Sequence, residues 1–415
     1  MSEIKPFKGL RPTSQNAKAV SSLPYDVLNS KEARKMAEGN PMSFLHVVKP
    51  EIDLPEETDL YSDEVYRKGA ENLKRFQSEG VLVQDETPCL YLYRQTMRIG
   101  DREIVQTGLV AGASVQEYED NLIKKHELTR ADKEADRTRH VDTQNANAGP
   151  VFLTYHSNET INAQVTQLCA AKPDCDFTAD DGIGHTLWVV RDEGAIANLV
   201  GAFEKIPHMY VADGHHRSAS AASVGRKRKE ANPNHTGNEE YNYYLAVMFP
   251  HDQLYIMDYN RVVLDLNNLT DEQFLEKVKE KFIVQPTDIP SPVRAKEFGM
   301  YLDSKWYRLT AKEGTFDASD PVKSLDVAIL QDNLLAPILG IGDPRRDKRI
   351  DFVGGIRGTA ELKRRVDEGA AVSFAMYATS IEQLMSIADA GQIMPPKSTW
   401  FEPKLRSGMV VHLLD

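Results

Sequence analysis

Residues 209–222 read MYVADGHHRSASAA, an apolar run that ends in Asp-Gly, two histidines and an arginine and then continues in small residues. The run from Met209 to Ala212 is typical of a buried strand, and the small residues after Arg217 indicate a helix. A strand that ends at a glycine and leads into a helix presents backbone N–H groups where the helix dipole also favours an anion. The stretch therefore predicts a strand-turn-helix junction that binds phosphate.

The side chains at this junction suit phosphoryl chemistry. Gly214 allows the backbone to approach a ligand closely, and the planar guanidinium of Arg217 matches phosphate oxygens. His215 and His216 project about 100° apart on a helix, so they can hold different partners. Asp213 can orient a nucleophilic hydroxyl, accept its proton or hold Mg²⁺. The open alternative is a tight turn whose aspartate caps the helix and whose histidines lie at the surface.

Other ligand motifs do not account for this stretch. GxxxxGK[ST] is absent, LGIGDPR (339–345) departs from GxGxxG at Arg345, and HELTR (126–130) lacks the second histidine of a zincin. Zinc at His215 and His216 is disfavoured, because residues i and i+1 do not share a helix face. A nucleotide, if bound, is held by other means.

Composition restricts the class of protein. A chain of 415 residues exceeds one hydrophobic core, which predicts two domains. The net charge of -12 disfavours nucleic acid, and the basic tract 226–229 is short. The three cysteines lack paired spacing, and we find neither a signal peptide nor an apolar run of about 18 residues. We expect a cytoplasmic protein without a membrane or nucleic-acid partner, and the sequence favours no particular oligomeric state.

Hydrophobic patterning predicts a mixed α/β or α+β fold without internal repeats. Helices are predicted at 30–38, with Ser30 as the cap, and at 59–80, 193–206, 270–282, 324–335 and 380–390. Residues 89–115 read as a β-hairpin, and 151–156 and 185–190 as strands. Residues 237–250 and 253–266 are predicted to form another strand pair, with a second unit beginning at about residue 261.

Three separated segments resemble the free-serine kinases of the ParB/sulfiredoxin-like fold. They are VADGHHR (211–217), KKHELTR (124–130) and AGQIMPPKSTWFEP (390–403), and the kinases have these motifs in the same order. The whole chain is also similar to a large family of uncharacterised bacterial proteins marked by FKGLRP, PYDV, KKHE, ADGHHR and PPKST. The resemblance implies an α+β fold. A ParB/sulfiredoxin-like core with an N-terminal extension and insertions would occupy 1–260, and a C-terminal α+β domain, 261–415, would supply the substrate loop.

The resemblance also implies roles for individual residues. Glu127 would be the base that takes the proton from a serine hydroxyl, a role that suits a carboxylate. The remaining assignments are catalytic for Asp213 and His215, phosphate or nucleotide binding for Gly214, His216 and Arg217, and substrate binding for His126, Lys397, Ser398 and Thr399. Stabilisation of the transferring phosphoryl charge is usually the largest catalytic contribution.

The predicted function is therefore a phosphotransferase that acts on free L-serine or O-phosphoserine, with ATP or ADP and Mg²⁺, most simply as a nucleotide-dependent serine kinase. Two alternatives stay open. With water as the acceptor the same site would make a phosphoserine phosphatase of serine biosynthesis, and without turnover it would be a ParB-like nucleotide-binding switch. Sulfiredoxin chemistry is set aside, because it needs a cysteine where this motif has histidines.

Overall fold

The computed structural model describes residues 2–415, which form two compact units. The first unit comprises the chain up to Leu254 together with Pro403–Asp415, and the second comprises Tyr255–Glu402. The sequence predicts that residues 261–415 form one domain. In the structure, Pro403–Asp415 belong to the first unit instead. Both units mix helices and strands, so the predicted α+β class is confirmed. Within residues 2–415, no helix has the length and apolarity needed to cross a membrane.

The helices, in chain order, are α1 (Ala17–Val20), α2 (Ser30–Ala37), α3 (Leu45–Val48), α4 (Asp63–Ser78), α5 (Val115–Glu119), α6 (Ala131–Gln144), α7 (Glu159–Leu168), α8 (Glu193–Phe203), α9 (His215–Ala231), α10 (Asp271–Lys281), α11 (Asp326–Leu330), α12 (Gly358–Asp367) and α13 (Ile381–Asp389). Helix α11 continues into a π-helical turn at Gln331–Leu335. Local signals explain several helix starts. Thr270 and Ser380 form capping boxes with the residues three positions later, and α2 is capped by Asn29 rather than by the predicted Ser30.

The strands of the first unit are β1 (Ile4–Lys5), β2 (Leu10–Pro12), β3 (Leu82–Gln84), β4 (Leu90–Ile99), β5 (Arg102–Ser114), β6 (Ile123–Lys124), β7 (Ala146–Asn147), β8 (Val151–Tyr155), β9 (Cys175–Thr178), β10 (Gly184–Val190), β11 (Met209–Asp213) and β12 (Tyr243–Pro250). Those of the second unit are β13 (Tyr255–Met257), β14 (Tyr259–Val263), β15 (Phe282–Pro286), β16 (Glu297–Leu302), β17 (Lys305–Ala311), β18 (Ile350–Gly354), β19 (Val372–Ala375) and β20 (Trp400–Glu402). Strand β21 (His412–Leu413) belongs to the first unit, where it pairs with β7.

A nine-stranded mixed sheet organises the first unit. Its main path runs β6-β11-β8-β12-β5-β4-β10-β9, and β1 pairs with β5 outside this path. The pairs β6-β11 and β8-β12 are parallel, whereas the predicted hairpin β4-β5 is antiparallel. Because β6 and β11 lie side by side at one edge, two segments that are far apart in sequence end at neighbouring positions.

The core of the first unit lies between this sheet and three helices. Apolar residues of β4, β5, β8 and β11 pack with Ile161 of α7, Leu199 of α8 and Ala222 of α9 in one continuous cluster. The small residues of α9 are buried, which lets this helix pack close to the sheet. A smaller cluster joins α1–α4 with β2 and β3. The DGHHR sequence therefore lies at the junction of a buried strand, β11, and a helix packed on the sheet, α9.

The second unit is built on a six-stranded antiparallel sheet with the order β15-β17-β16-β19-β14-β18. The predicted pairing of residues 237–250 with 253–266 is wrong. Strand β12 pairs with β5 and β8, whereas β14 pairs with β18 and β19. The boundary between the two units lies at Leu254 and Tyr255, so β12 belongs to the first unit and β14 to the second.

Candidate active site

The sequence DGHHR forms the junction between β11 and α9. Gly214 has φ +99° and ψ 30°, a backbone conformation that disfavours residues with a side chain. It precedes the 17-residue helix α9, and within residues 2–415 no side chain caps this helix end. The first N–H groups of the helix therefore face outward without an intrahelical acceptor. The predicted anion-binding turn requires a helix start of this geometry.

Strand pairing brings the His-Glu motif to this junction. Ile123 and Lys124 of β6 pair in parallel with Met209 and Tyr210 of β11, so the two chains leave the sheet edge together. His126 lies two residues beyond β6 and is hydrogen-bonded to the backbone of Val211. The predicted base Glu127 and the predicted phosphate motif that begins at Asp213 are thus neighbours, although they lie 86 positions apart in the sequence.

His126 and His215 form a buried pair. Their rings meet edge to face with centroids 4.4 Å apart, and the two residues are 3% and 5% exposed. Burial lowers the pKa of His126 to about 4, and burial together with His126 lowers the pKa of His215 well below its usual range. Both imidazoles are therefore neutral at pH 7. The alternative interpretation of the junction, a tight turn with both histidines at the surface, is therefore wrong for His215, which is buried. Because its ring is neutral, His215 offers no full positive charge to a phosphate.

Each ring of this pair keeps one nitrogen without a hydrogen-bond partner in the described chain. These atoms are Nδ1 of His126 and Nε2 of His215. The other nitrogen of the His215 ring, Nδ1, lies 4.0 Å from Oε2 of Glu127. One ligand atom each from His126, Glu127 and His215 can be chosen so that all lie within 4.8 Å of one another. Two neutral imidazoles and a carboxylate suit Zn²⁺ or another transition metal better than Mg²⁺.

Asp213 occupies the last position of β11 and pairs with a lysine. Its Oδ2 accepts a hydrogen bond of 3.3 Å from Nζ of Lys404. Burial pushes the pKa of Asp213 upward, but Lys404 and then Arg217 outweigh it, so the pKa lies far below the usual range and the carboxylate is ionised. The sequence did not point to Lys404. It sits in the C-terminal segment that returns to the first unit, and no local motif marks it.

The other two residues of the motif have partners in the protein. Nη1 of Arg217 donates to the Pro150 carbonyl, and Nη2 lies 3.3 Å from Oδ2 of Asp26. Burial lowers the pKa of Arg217, but Asp26 and Asp213 outweigh it and raise the pKa. Its buried Nε has no acceptor in the described residues, and a Cβ on Gly214 would lie 3.3 Å from that atom. One guanidinium donor therefore remains beside the glycine.

His216 is anchored in the same way. Its Nε2 accepts a hydrogen bond of 3.1 Å from the backbone N–H of Arg130, and burial lowers its pKa. Because Arg130 directly precedes α6, this bond ties the segment after Glu127 to α9. The observed contact of His216 is thus with backbone. Asp26 lies in the PYDV motif, within a 3₁₀ turn at Tyr25–Val27, and its contact with Arg217 connects that motif to the junction.

The predicted substrate loop belongs to the second unit. Ser398 is buried, and its hydroxyl donates to the Pro395 carbonyl at 2.6 Å while its own carbonyl accepts from Thr379 at 2.9 Å. Lys397 is exposed with φ +60°, and Thr399 is half-buried. The Ser398 hydroxyl therefore stabilises the loop from within.

Comparisons with known proteins identify the family. The model of the family described as "Protein of unknown function (DUF1015)" matches residues 4–328, and the chain belongs to this family. This agrees with the motif resemblance to an uncharacterised family. The comparison with curated proteins gives no match.

Among solved structures, the chain is similar to three kinds of protein. A free serine kinase in complex with AMP is 12% identical, with 71% of this chain and 86% of that chain covered and a TM-score of 0.36. A conserved hypothetical protein from Pyrococcus furiosus is 12% identical, with 74% and 95% covered and a TM-score of 0.37. SbnI with C-terminal truncation from Staphylococcus aureus is 11% identical, with 72% and 85% covered and a TM-score of 0.39.

Proposed function

We propose that this chain is a phosphotransferase for free L-serine or O-phosphoserine, with ATP or ADP as the phosphoryl donor in the kinase direction. The observation that carries the proposal is the junction of β11 and α9. There an uncapped helix start, the ionised Asp213 and the Glu127 side chain meet at one edge of the sheet. The substrate is inferred from the motif resemblance, and the roles in phosphate binding and proton transfer are inferred from the residues at the junction.

Phosphate recognition is assigned to the helix start. The outward N–H groups of His215 and His216 and the helix dipole favour an anion at this point. The Nε–H of Arg217 adds a charge-assisted donor beside Gly214, and Lys404 places a cation next to Asp213. Fixed donors of this kind stabilise charge on the transferring group without rearranging during the reaction.

Proton transfer is assigned to Glu127. As the serine hydroxyl oxygen attacks the γ-phosphorus of ATP, the bond to the bridging oxygen breaks, ADP leaves, and the hydroxyl proton passes to the Glu127 carboxylate. With ADP as the donor, the β-phosphorus is attacked and AMP leaves. The Glu127 side chain is 47% exposed, so a substrate can approach it. The ring of His215, whose Nδ1 lies 4.0 Å from Oε2 of Glu127, is neutral and so places no positive charge beside the carboxylate.

The residues at the junction do not fit a resident Mg²⁺ ion. Asp213 is a single carboxylate already neutralised by Lys404, and the adjoining cluster offers two nitrogen ligands. Mg²⁺ prefers six oxygen ligands and usually binds through one or two carboxylates together with substrate phosphates. We therefore assign Mg²⁺ to the nucleotide as part of the substrate, and Asp213 keeps its role at the transferring phosphate.

The test is a direct assay of the purified full-length chain. It is incubated with MgCl₂ and L-serine plus either ATP or ADP, or with O-phosphoserine alone, and the products are followed by ³¹P NMR. We expect phosphoserine in one of the nucleotide reactions. Glu127→Gln should lower kcat by about 10²–10⁴-fold while nucleotide affinity stays unchanged, because only the proton acceptor is lost. Glu103→Gln, at the exposed start of β5, is the matched control.

The outcomes separate the alternatives. Inorganic phosphate released from phosphoserine without nucleotide would replace the kinase by a phosphatase. Nucleotide binding without any product would favour the nucleotide-dependent switch. Activity that survives in Glu127→Gln would remove the assigned base, even if the kinase reaction itself were observed.

A further inference from the structure

A cavity of about 310 Å³ lies within the second unit, and it contains none of the residues at the junction of β11 and α9. Its walls come from β14, β18, α11 with its π-helical turn, and the loop after Ile341. Most wall side chains are apolar, among them Leu335, Ile350 and Phe352, and Pro395 and Pro396 close one side. Sites for small molecules are typically concave, apolar and of about this volume or larger.

Arg261 is the buried charged group of this cavity, since it is only 4% exposed. It lies in β14 directly opposite Phe352 of β18, with the guanidinium 5.3 Å from that ring. Within residues 2–415 it has no carboxylate partner. Two other buried arginines have a carboxylate partner: Arg217 pairs with Asp26, and Arg406 pairs with Asp181.

The donors of Arg261 are only partly used. A guanidinium has five N–H donors. Nη1 donates to the Tyr259 carbonyl and Nη2 to the Lys397 carbonyl at 3.0 Å, so five minus two leaves three donors without an acceptor in the described residues. Burial lowers the pKa of Arg261 to about 10, which still leaves it charged at pH 7. A buried charge without a counter-ion is unfavourable until an anion binds.

The rest of the lining sets the charge of the ligand. Asp343 is the acidic residue of the cavity wall, and Arg345 neutralises it through two hydrogen bonds of 3.0 and 3.1 Å. One positive charge therefore remains, on Arg261. A phosphate dianion would leave one negative charge unbalanced in apolar surroundings. A carboxylate carries a single negative charge, which balances Arg261, and its two oxygens match the planar guanidinium.

We propose that the second unit carries a binding site for a small organic carboxylate with an apolar body, anchored on Arg261. The carboxylate accepts the remaining donors of the guanidinium, and the apolar body packs between Leu335, Ile350 and Phe352. This site shares no residue with the junction of β11 and α9, although Pro395 and Pro396 of its wall belong to the predicted substrate loop. The backbone bond from Arg261 to Lys397 also makes the PPKST loop one wall of the site.

The experiment uses full-length protein with ¹³C-labelled isoleucine methyl groups and sodium benzoate as the probe. We expect benzoate to shift the Ile350 methyl signal in a saturable manner, while that of the exposed Ile283 stays unchanged. Benzamide, which has the same shape without the charge, should bind at least about tenfold more weakly. The same loss is expected for benzoate with Arg261→Met, whereas the exposed Arg357→Gln should bind like wild type.

Three results would overturn the proposal. They are an Ile350 signal that does not respond to benzoate, benzamide binding as tightly as benzoate, and inorganic phosphate saturating the site in place of benzoate. If Arg261→Met does not fold, the comparison of benzoate with benzamide on the wild-type chain decides the matter.

Discussion

Replacing Gly214 by alanine tests the geometry on which the phosphate site depends. At φ +99° a residue with a side chain costs roughly 1–2 kcal/mol more than glycine. The added Cβ would also lie 3.3 Å from Nε and 3.4 Å from Cζ of Arg217, whose guanidinium is held by the Pro150 carbonyl and Asp26. We expect Gly214→Ala to lower the free energy of unfolding of the first unit by about 1–2 kcal/mol.

Gly201→Ala is the matched control, because it makes the same chemical change in the interior of α8. There φ is not positive, and a Cβ would meet no atom within 4 Å. An alanine in such a position should raise the stability by about 0.5–1 kcal/mol. The same substitution is therefore expected to act with opposite signs at the two positions.

The assay is urea unfolding followed by tryptophan fluorescence. The chain has three tryptophans, and Trp188 is the one in the first unit, where it is buried and donates to the Ala171 carbonyl. Replacing Trp306 and Trp400 by phenylalanine in all variants makes Trp188 the reporter of this unit. If Gly214→Ala proved as stable as the parent while Gly201→Ala gained stability, the left-handed turn and the anion site built on it would be refuted.

Three further changes test other parts of the first unit. Burial, and then Arg406, lower the pKa of His185 to about 3, so the unfolded chain binds the proton more tightly. The stability from this group should be complete above pH 6.5 and fall by on the order of 4–5 kcal/mol towards pH 3, and His185→Gln should remove this dependence in urea titrations at each pH. Zn²⁺ should inhibit turnover by binding to His126, Glu127 and His215. His126→Gln should raise the Zn²⁺ concentration needed for half-inhibition about tenfold or more. If this concentration is unchanged, the inhibitory ion binds elsewhere. Lys404→Gln should weaken nucleotide binding about tenfold in calorimetry, because a charge-assisted donor is lost, whereas equal affinity would remove Lys404 from the site.

The parts of the site that follow from local signals could be predicted from the sequence. The apolar run before Asp213 and the small residues after Arg217 predicted β11 and α9, and Gly214 was predicted to let the backbone approach a ligand closely. These signals act within one strand and one helix, so no knowledge of the remaining chain is needed.

The parts that depend on distant contacts could not be predicted. Strand β6 is two residues long, too short for a periodic signal, and only its pairing with β11 places Glu127 beside His215. The sequence argument against a metal considered His215 with its neighbour His216, whereas the structure brings His126 to His215 instead. Lys404 contacts Asp213 because Pro403–Asp415 belong to the first unit. No change in amino-acid composition near residue 403 indicates this return.

The charges around the junction explain why neutral histidines suit this site. Asp213 balances Lys404, and Asp26 balances Arg217, so both cations are held in place by carboxylates before any ligand arrives. In the proposed reaction, an incoming phosphate would therefore meet oriented N–H groups rather than a large excess of positive charge. If His126 and His215 were charged as well, the Glu127 carboxylate would form an ion pair and become a weaker base. Burial keeps both rings neutral, so the proposed anion site and the proposed base can lie side by side without a charged histidine between them.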